Sequence, residues 1–192
     1  LKYGGAVVST TIDKYFYVFL NVSGDDTIQI TSSDYRTFYR HNGEMPLLFD
    51  GDLSLPRAIL HHFGLVRGIS MFLASEIPPG TGLGSSSTVA VAIIKAVATA
   101  RGLFLSKQQI AELACYIEIE KLGTPIGKQD QYAAAFGDLN LIQFSADGVT
   151  VEPLRVSPET RRTLEKNILL FFAGGSRRAS SILREQEKSS EK

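Results

Sequence analysis

The chain has 192 residues, of which 44% are hydrophobic and 21% charged, a balance that suits a soluble globular protein with room for one large or two small domains. Lys plus Arg equals Asp plus Glu at 20 each, so no net field draws nucleic acid or an anionic membrane, and any anion must be bound locally. One cysteine, Cys115, excludes an internal disulfide framework and reads as a core residue in a reducing compartment; with no span-length apolar run and no signal segment, a cytoplasmic protein is expected.

Leu1 opens the chain inside what reads as a Gly-Gly-strand unit, so a fragment is expected. Residues 5–22 are rich in β-branched and aromatic side chains, and residues 27–31 alternate around Ile28 and Ile30, which predicts paired strands with a turn at Gly24-Asp25-Asp26. Tyr15, Phe16, Tyr17 and Phe19 read as continuous strand core rather than a base-stacking platform, because no basic interleaving accompanies them. Residues 54–63 predict a helix with Ser54 as N-cap, Pro56 in its first turn and Gly64 as its stop. A strand is expected over 68–77, then a helix over 89–100 that is apolar nearly all round and ends at Gly102. Ser106 and Gln109 form a capping box for a further helix, with Ile110, Leu113, Ala114 and Ile117 at helical spacing and a stop at Gly123 before Pro125. Strands follow over 139–145, 149–156 and 168–173, with Ser157-Pro158 opening a short helix; residues 184–192 read as a frayed helix end.

Between the strand and the apolar helix stands Pro78-Pro79-Gly80-Thr81-Gly82-Leu83-Gly84-Ser85-Ser86-Ser87-Thr88. Glycines at alternate positions leave no Cβ in the way, so successive N–H groups can turn inward around an anion, and serines then open a helix whose N-terminus favours phosphate. No lysine follows Gly84, which excludes the P-loop pattern, and the spacing excludes the Rossmann fingerprint. The string resembles the second motif of the GHMP kinases, Pro-x-Gly-x-Gly-Leu-Gly-Ser-Ser-[Ala/Ser], matched from Pro78 to Ser87. The resemblance implies ATP binding through Pro79, Gly80, Thr81, Gly82, Leu83, Gly84, Ser85, Ser86 and Ser87.

The run from Glu118 to Gln131, EIEKLGTPIGKQDQ, extends the resemblance. In galactokinase-like members a glutamate near a helix end precedes Gly-x-Pro-x-Gly-x-x-Asp-Gln. By that likeness Glu118 and Ser86 ligate Mg2+, Asp130 faces the acceptor hydroxyl as catalytic base, and Gln131 beside it is assigned to substrate. Glu120 stays as the alternative ligand. Magnesium keeps several waters and takes few protein oxygens, so one glutamate and one serine are a sufficient protein share. Lys128 either steadies the charge at Asp130 and the phosphoryl group as a catalytic partner, or is a solvated lysine. His61 and His62 are adjacent and point to different helix faces, so no zinc pair is implied.

The strings GKQDQYAAAFG, GGAVVSTTIDKYFYV and SRRASSILREQ resemble the sugar-kinase branch that contains the heptose 7-phosphate kinases, with fucokinase-like enzymes as neighbours. The resemblance implies an α+β fold, the GHMP N-terminal domain (ribosomal protein S5 domain 2-like) over 1–156, with the start of the C-terminal domain over 157–192. The implied partner is a small-molecule sugar phosphate, not nucleic acid or membrane. Arg177 and Arg178 are candidates for its phosphate, with an exposed helix start as the alternative. The family's first motif is represented here only by Gly4 and Gly5, and its third would lie beyond Lys192. Asp138 stands where the family usually has a second glycine. A non-catalytic ATP and sugar sensor and a diphosphomevalonate decarboxylase are the competing readings within the same fold.

Overall fold

A computed structural model of the chain describes residues 4–42 and 46–171. Its strands form two sheets. The smaller is antiparallel: β1 (Gly5–Thr10), β6 (Leu139–Ser145) and β7 (Gly148–Pro153), with β6 in the centre. The larger holds β2 (Phe16–Val22), β5 (Ile69–Ser75), β3 (Ile28–Ser32) and β4 (Thr37–His41) in that order, with β3 parallel to β5 and the other pairs antiparallel. The expected hairpin between 5–22 and 27–31 is therefore corrected. β1 pairs with the distant β6, Val7 opposite Ile142, and β5 lies between β2 and β3. A sequence shows which segments are extended but not which edge they find, because pairing is decided by the helices that must be covered.

One face of the larger sheet carries Ile28, Ile30, Ile69, Met71 and Leu73 onto α1 (Ser54–His62) and α2 (Ser85–Ala100). These meet Ile59, Leu60, Ala90, Ile93, Ile94 and Val97, all buried, so the apolar helix expected over 89–100 is central to the core. Among the described residues the other sheet face leaves Tyr17, Phe19 and Phe72 exposed. Strand period 2 sends Phe16 and Val18 inward and leaves Tyr17 and Phe19 exposed, with Phe19 against Phe72 at a ring distance of 6.1 Å. Thus only alternate members of the aromatic run are core, which corrects the reading of the whole run as core. A second cluster of Ala111, Cys115, Tyr132 and Ile142 lies between the smaller sheet and the helices α3 (Lys107–Cys115) and α4 (Gln129–Phe136).

Side chains cap two of the helix starts, α3 and α5. Ser106 accepts from the Gln109 N–H and the Gln109 side chain bonds back, completing the capping box. Ser157 caps α5 (Pro158–Asn167) through the Thr160 N–H. At α1, however, Leu53 is the cap residue and Ser54 is already helical, so the expected Ser54 cap is absent; Arg57 binds the carbonyls of Leu48, Asp50 and Leu53 instead. Residues 168–171 form no strand, and 172–173 lie outside the described residues. Asp138 adopts φ 63°, in the left-handed region that glycine enters more readily than other residues. Its N–H donates to Thr11 Oγ1 and its carboxylate pairs with Arg161 at 2.8 Å, which holds the turn in place.

Candidate active site

The loop after β5 turns on its glycines. Gly80, Gly82 and Gly84 have φ of 77°, 77° and 67°, the left-handed region that side chains disfavour. Gly84 is the cap residue of α2 and offers no side chain, and no acidic residue stands in the first turn. The N–H groups at this helix start therefore lack a side-chain acceptor, the arrangement in which an external anion completes the helix end. Thr81 closes the loop on itself, its hydroxyl donating to Pro78 O at 3.2 Å.

Two carboxylates flank this loop. Glu118 lies in a π-helical segment, Tyr116–Lys121, that continues α3 and turns Ile117 and Glu118 inward while Glu120 stays exposed. Its side chain is 1% exposed. Ser86 Oγ donates to Glu118 Oε1 at 2.7 Å, and Gln131 Nε2 donates to Oε2, also at 2.7 Å. Burial raises the Glu118 pKa above the usual carboxylate range, against the hydrogen bonds from Ser86, Gln131 and Ser87, which favour the charged form.

Asp130, in the first turn of α4, approaches from the other side. A Cβ built on Gly84 would stand 3.2 Å from Asp130 Cγ and 3.3 Å from its Oδ2. Asp130 keeps an open face to solvent, yet the loop packed on its other side withdraws it from water and raises its pKa. Lys128 immediately precedes α4 and is exposed. Burial pushes the Cys115 thiol up to about 12, against a smaller pull from Lys128, so this cysteine is a protonated core residue and not a nucleophile. Gln131 is wholly buried, and Arg177 and Arg178 lie outside the described residues.

Beside Glu118 a cavity of about 150 Å³ opens between α1, β5 and α2. Ser86 and Glu118 form one part of its wall, with Phe16, Tyr35, Leu73 and Val89 as the apolar part. The turn before α1, carrying Asp52 and Leu53, completes it and is anchored by the buried Arg57, whose guanidinium stacks over Tyr39 at 4.4 Å. Sequence reading missed this wall. Only the position of Asp52-Leu53-Ser54 just ahead of a helix points there.

The donor set fits a hard divalent cation. Among the described residues no group of three or more His, Cys, Asp or Glu could hold a metal. Glu118 and Ser86 supply a carboxylate and a hydroxyl 2.7 Å apart, the small all-oxygen protein share that magnesium takes when phosphates and water complete its shell.

Residues 54–138 match the model of the GHMP kinases N terminal domain. The D-glycero-alpha-D-manno-heptose 7-phosphate kinase of Campylobacter jejuni is 35% identical over 189 residues, which is 94% of this chain and 55% of that protein. A crystal structure of a D-glycero-D-manno-heptose 1-phosphate kinase from Bacteroides thetaiotaomicron superposes with a TM-score of 0.74 at 33% identity, covering 81% of this chain and 53% of the other. The L-fucokinase/L-fucose-1-P guanylyltransferase of Bacteroides fragilis is 35% identical over 130 residues, 66% of this chain and 13% of that protein. The chain spans about half the length of the heptose-phosphate kinases it matches. No helix among the described residues is long and apolar enough to cross a membrane.

Proposed function

We propose that the full protein is an ATP-dependent sugar kinase that transfers the γ-phosphoryl group to a hydroxyl of a heptose 7-phosphate, the anomeric hydroxyl by family analogy. The observation that carries this reading is the pair of carboxylates on either side of one phosphate loop: Glu118 on Ser86, and Asp130 on Gly84. Each has a separate task. The loop N–H groups and the start of α2 would hold the nucleotide phosphates. Ser86 and Glu118 would hold magnesium, which when bound offsets the charge on the β and γ phosphates. Asp130 would accept the proton of the attacking hydroxyl as its oxygen bonds to phosphorus and the bond to the ADP oxygen breaks. Its raised pKa makes it a better proton acceptor than an exposed aspartate. Lys128 would steady the charge on that side.

The sugar class rests on the likeness to the heptose-phosphate kinases, and Arg177 and Arg178 are the proposed donors to a substrate phosphate. A second reading, a kinase of a free sugar, is supported by the likeness to the fucokinase of Bacteroides fragilis. ADP release by the full-length protein, measured with heptose 7-phosphate, heptose 1-phosphate, free heptose and fucose, separates the two. Turnover of heptose 7-phosphate is expected. Turnover of fucose alone favours the second reading, and ATP binding without ADP release on any sugar points to a sensor.

A further inference from the structure

We propose that Gln131 is a positioning residue for Glu118, holding the metal-ligating carboxylate turned toward Ser86 and the loop. The inference rests on the kinase reading above and adds a residue to its metal side.

A carboxylate can rotate about its own axis, so one hydrogen bond leaves its second oxygen free to swing. Glu118 has a donor on each oxygen, Ser86 on Oε1 and Gln131 on Oε2, both at 2.7 Å. The pair fixes the plane of the group. Gln131 presents its NH2 to Glu118 and points its amide oxygen elsewhere. That oxygen is buried and finds no partner among the described residues. A buried acceptor left unpaired is an uncompensated desolvation cost, which a methionine of similar length would not incur. The amide is therefore explained by what its nitrogen does. Gln131 is also 0% exposed, so no polar atom of it faces a sugar. Because it follows Asp130 in the first turn of α4, it links the placement of the two carboxylates through one rigid helix start.

The test uses the full-length protein with Gln131→Met, which keeps the length but removes both polar atoms, and Gln131→Leu, which removes them in a shorter side chain. Magnesium is titrated by calorimetry in the presence of a non-hydrolysable ATP analogue, with Gln129→Met as a control on the exposed side of the same turn. Partners one shell out from a metal typically account for 10- to 100-fold in affinity, so the magnesium concentration for half-saturation should rise by about 10- to 100-fold in both Gln131 variants. The KM for sugar at saturating magnesium should move by less than about twofold, since no substrate contact is lost. Gln129→Met should behave as wild type. An unchanged magnesium titration in a variant that melts cooperatively, or a raised sugar KM with normal metal affinity, overturns the proposal and returns Gln131 to the substrate. A wild-type protein whose nucleotide affinity ignores magnesium overturns the kinase reading, and this inference with it.

Discussion

Asp130 packs its carboxyl against the α-carbon of Gly84, so close that a single added methyl would meet its Cγ at 3.2 Å. The phosphate loop and the proposed base are thus one packed unit, and the loop sets where the base can stand.

This separates two glycines that look alike in the sequence. A Cβ on Gly82 meets nothing within 4 Å, so Gly82→Ala adds only the strain of φ 77°, whereas Gly84→Ala adds strain and displaces Asp130. Gly82→Ala is expected to weaken nucleotide binding with kcat at saturation little changed. Gly84→Ala should lower both. Calorimetry with an ATP analogue and steady-state kinetics on the full-length protein measure the two effects.

Asp130→Asn should lower kcat by about 10²- to 10⁴-fold, the usual contribution of a positioned base, while leaving ATP affinity near wild type. Near-normal kcat in this variant would remove Asp130 from the chemistry.

The same residue predicts two pH effects of definite sign. Burial raises the Asp130 pKa above its usual 3.8, and a base must be ionised to act, so activity should fall as pH drops through that raised value. The acid limb of kcat/KM is expected above the ordinary aspartate range and absent from Asp130→Asn. For stability, a carboxyl whose pKa is raised on folding favours the folded state below the unfolded pKa, and that contribution is lost as pH rises through the folded pKa. Asp130→Asn should therefore melt above wild type at pH ~7 and lose that advantage as pH falls below the raised folded pKa of Asp130.

Glu118→Gln should raise the magnesium concentration needed for half-maximal rate, whereas Glu120→Gln should not, because only Glu118 is turned onto Ser86 and Glu120 is exposed. The reverse pattern in a magnesium titration would place the ligand at the wrong residue.

Away from the site, Ser106→Ala removes the hydroxyl half of the capping box at α3, leaving the bond from the residue 106 N–H to the Gln109 side chain, and should cost about 1 kcal/mol by denaturant unfolding, with kinetic constants unchanged. A loss within error of zero would mean that this helix end holds without the serine hydroxyl.

Much of this protein was legible in its residues. The glycine spacing at 80, 82 and 84 pointed to a tight turn that needs positive φ, and the observed angles are 77°, 77° and 67°. The capping box at Ser106 and the buried helix after the loop follow from short-range hydrogen bonding and 3.6-residue periodicity, which depend on neighbours in sequence. Tertiary structure alone decided what depends on distant neighbours. The pairing of β1 with β6 joins segments more than a hundred residues apart, and β5 enters between β2 and β3, which no local pattern encodes. The aromatic run around Phe16 and Phe19 is apolar throughout, yet the helices cover only one sheet face, so alternate rings stay exposed. Glu118 and Glu120 differ by two positions and share their chemistry. The turn of the π-helical segment buries the first beside Ser86 and Gln131 and leaves the second in water, and that difference in environment, not in sequence, separates a candidate metal ligand from a surface charge.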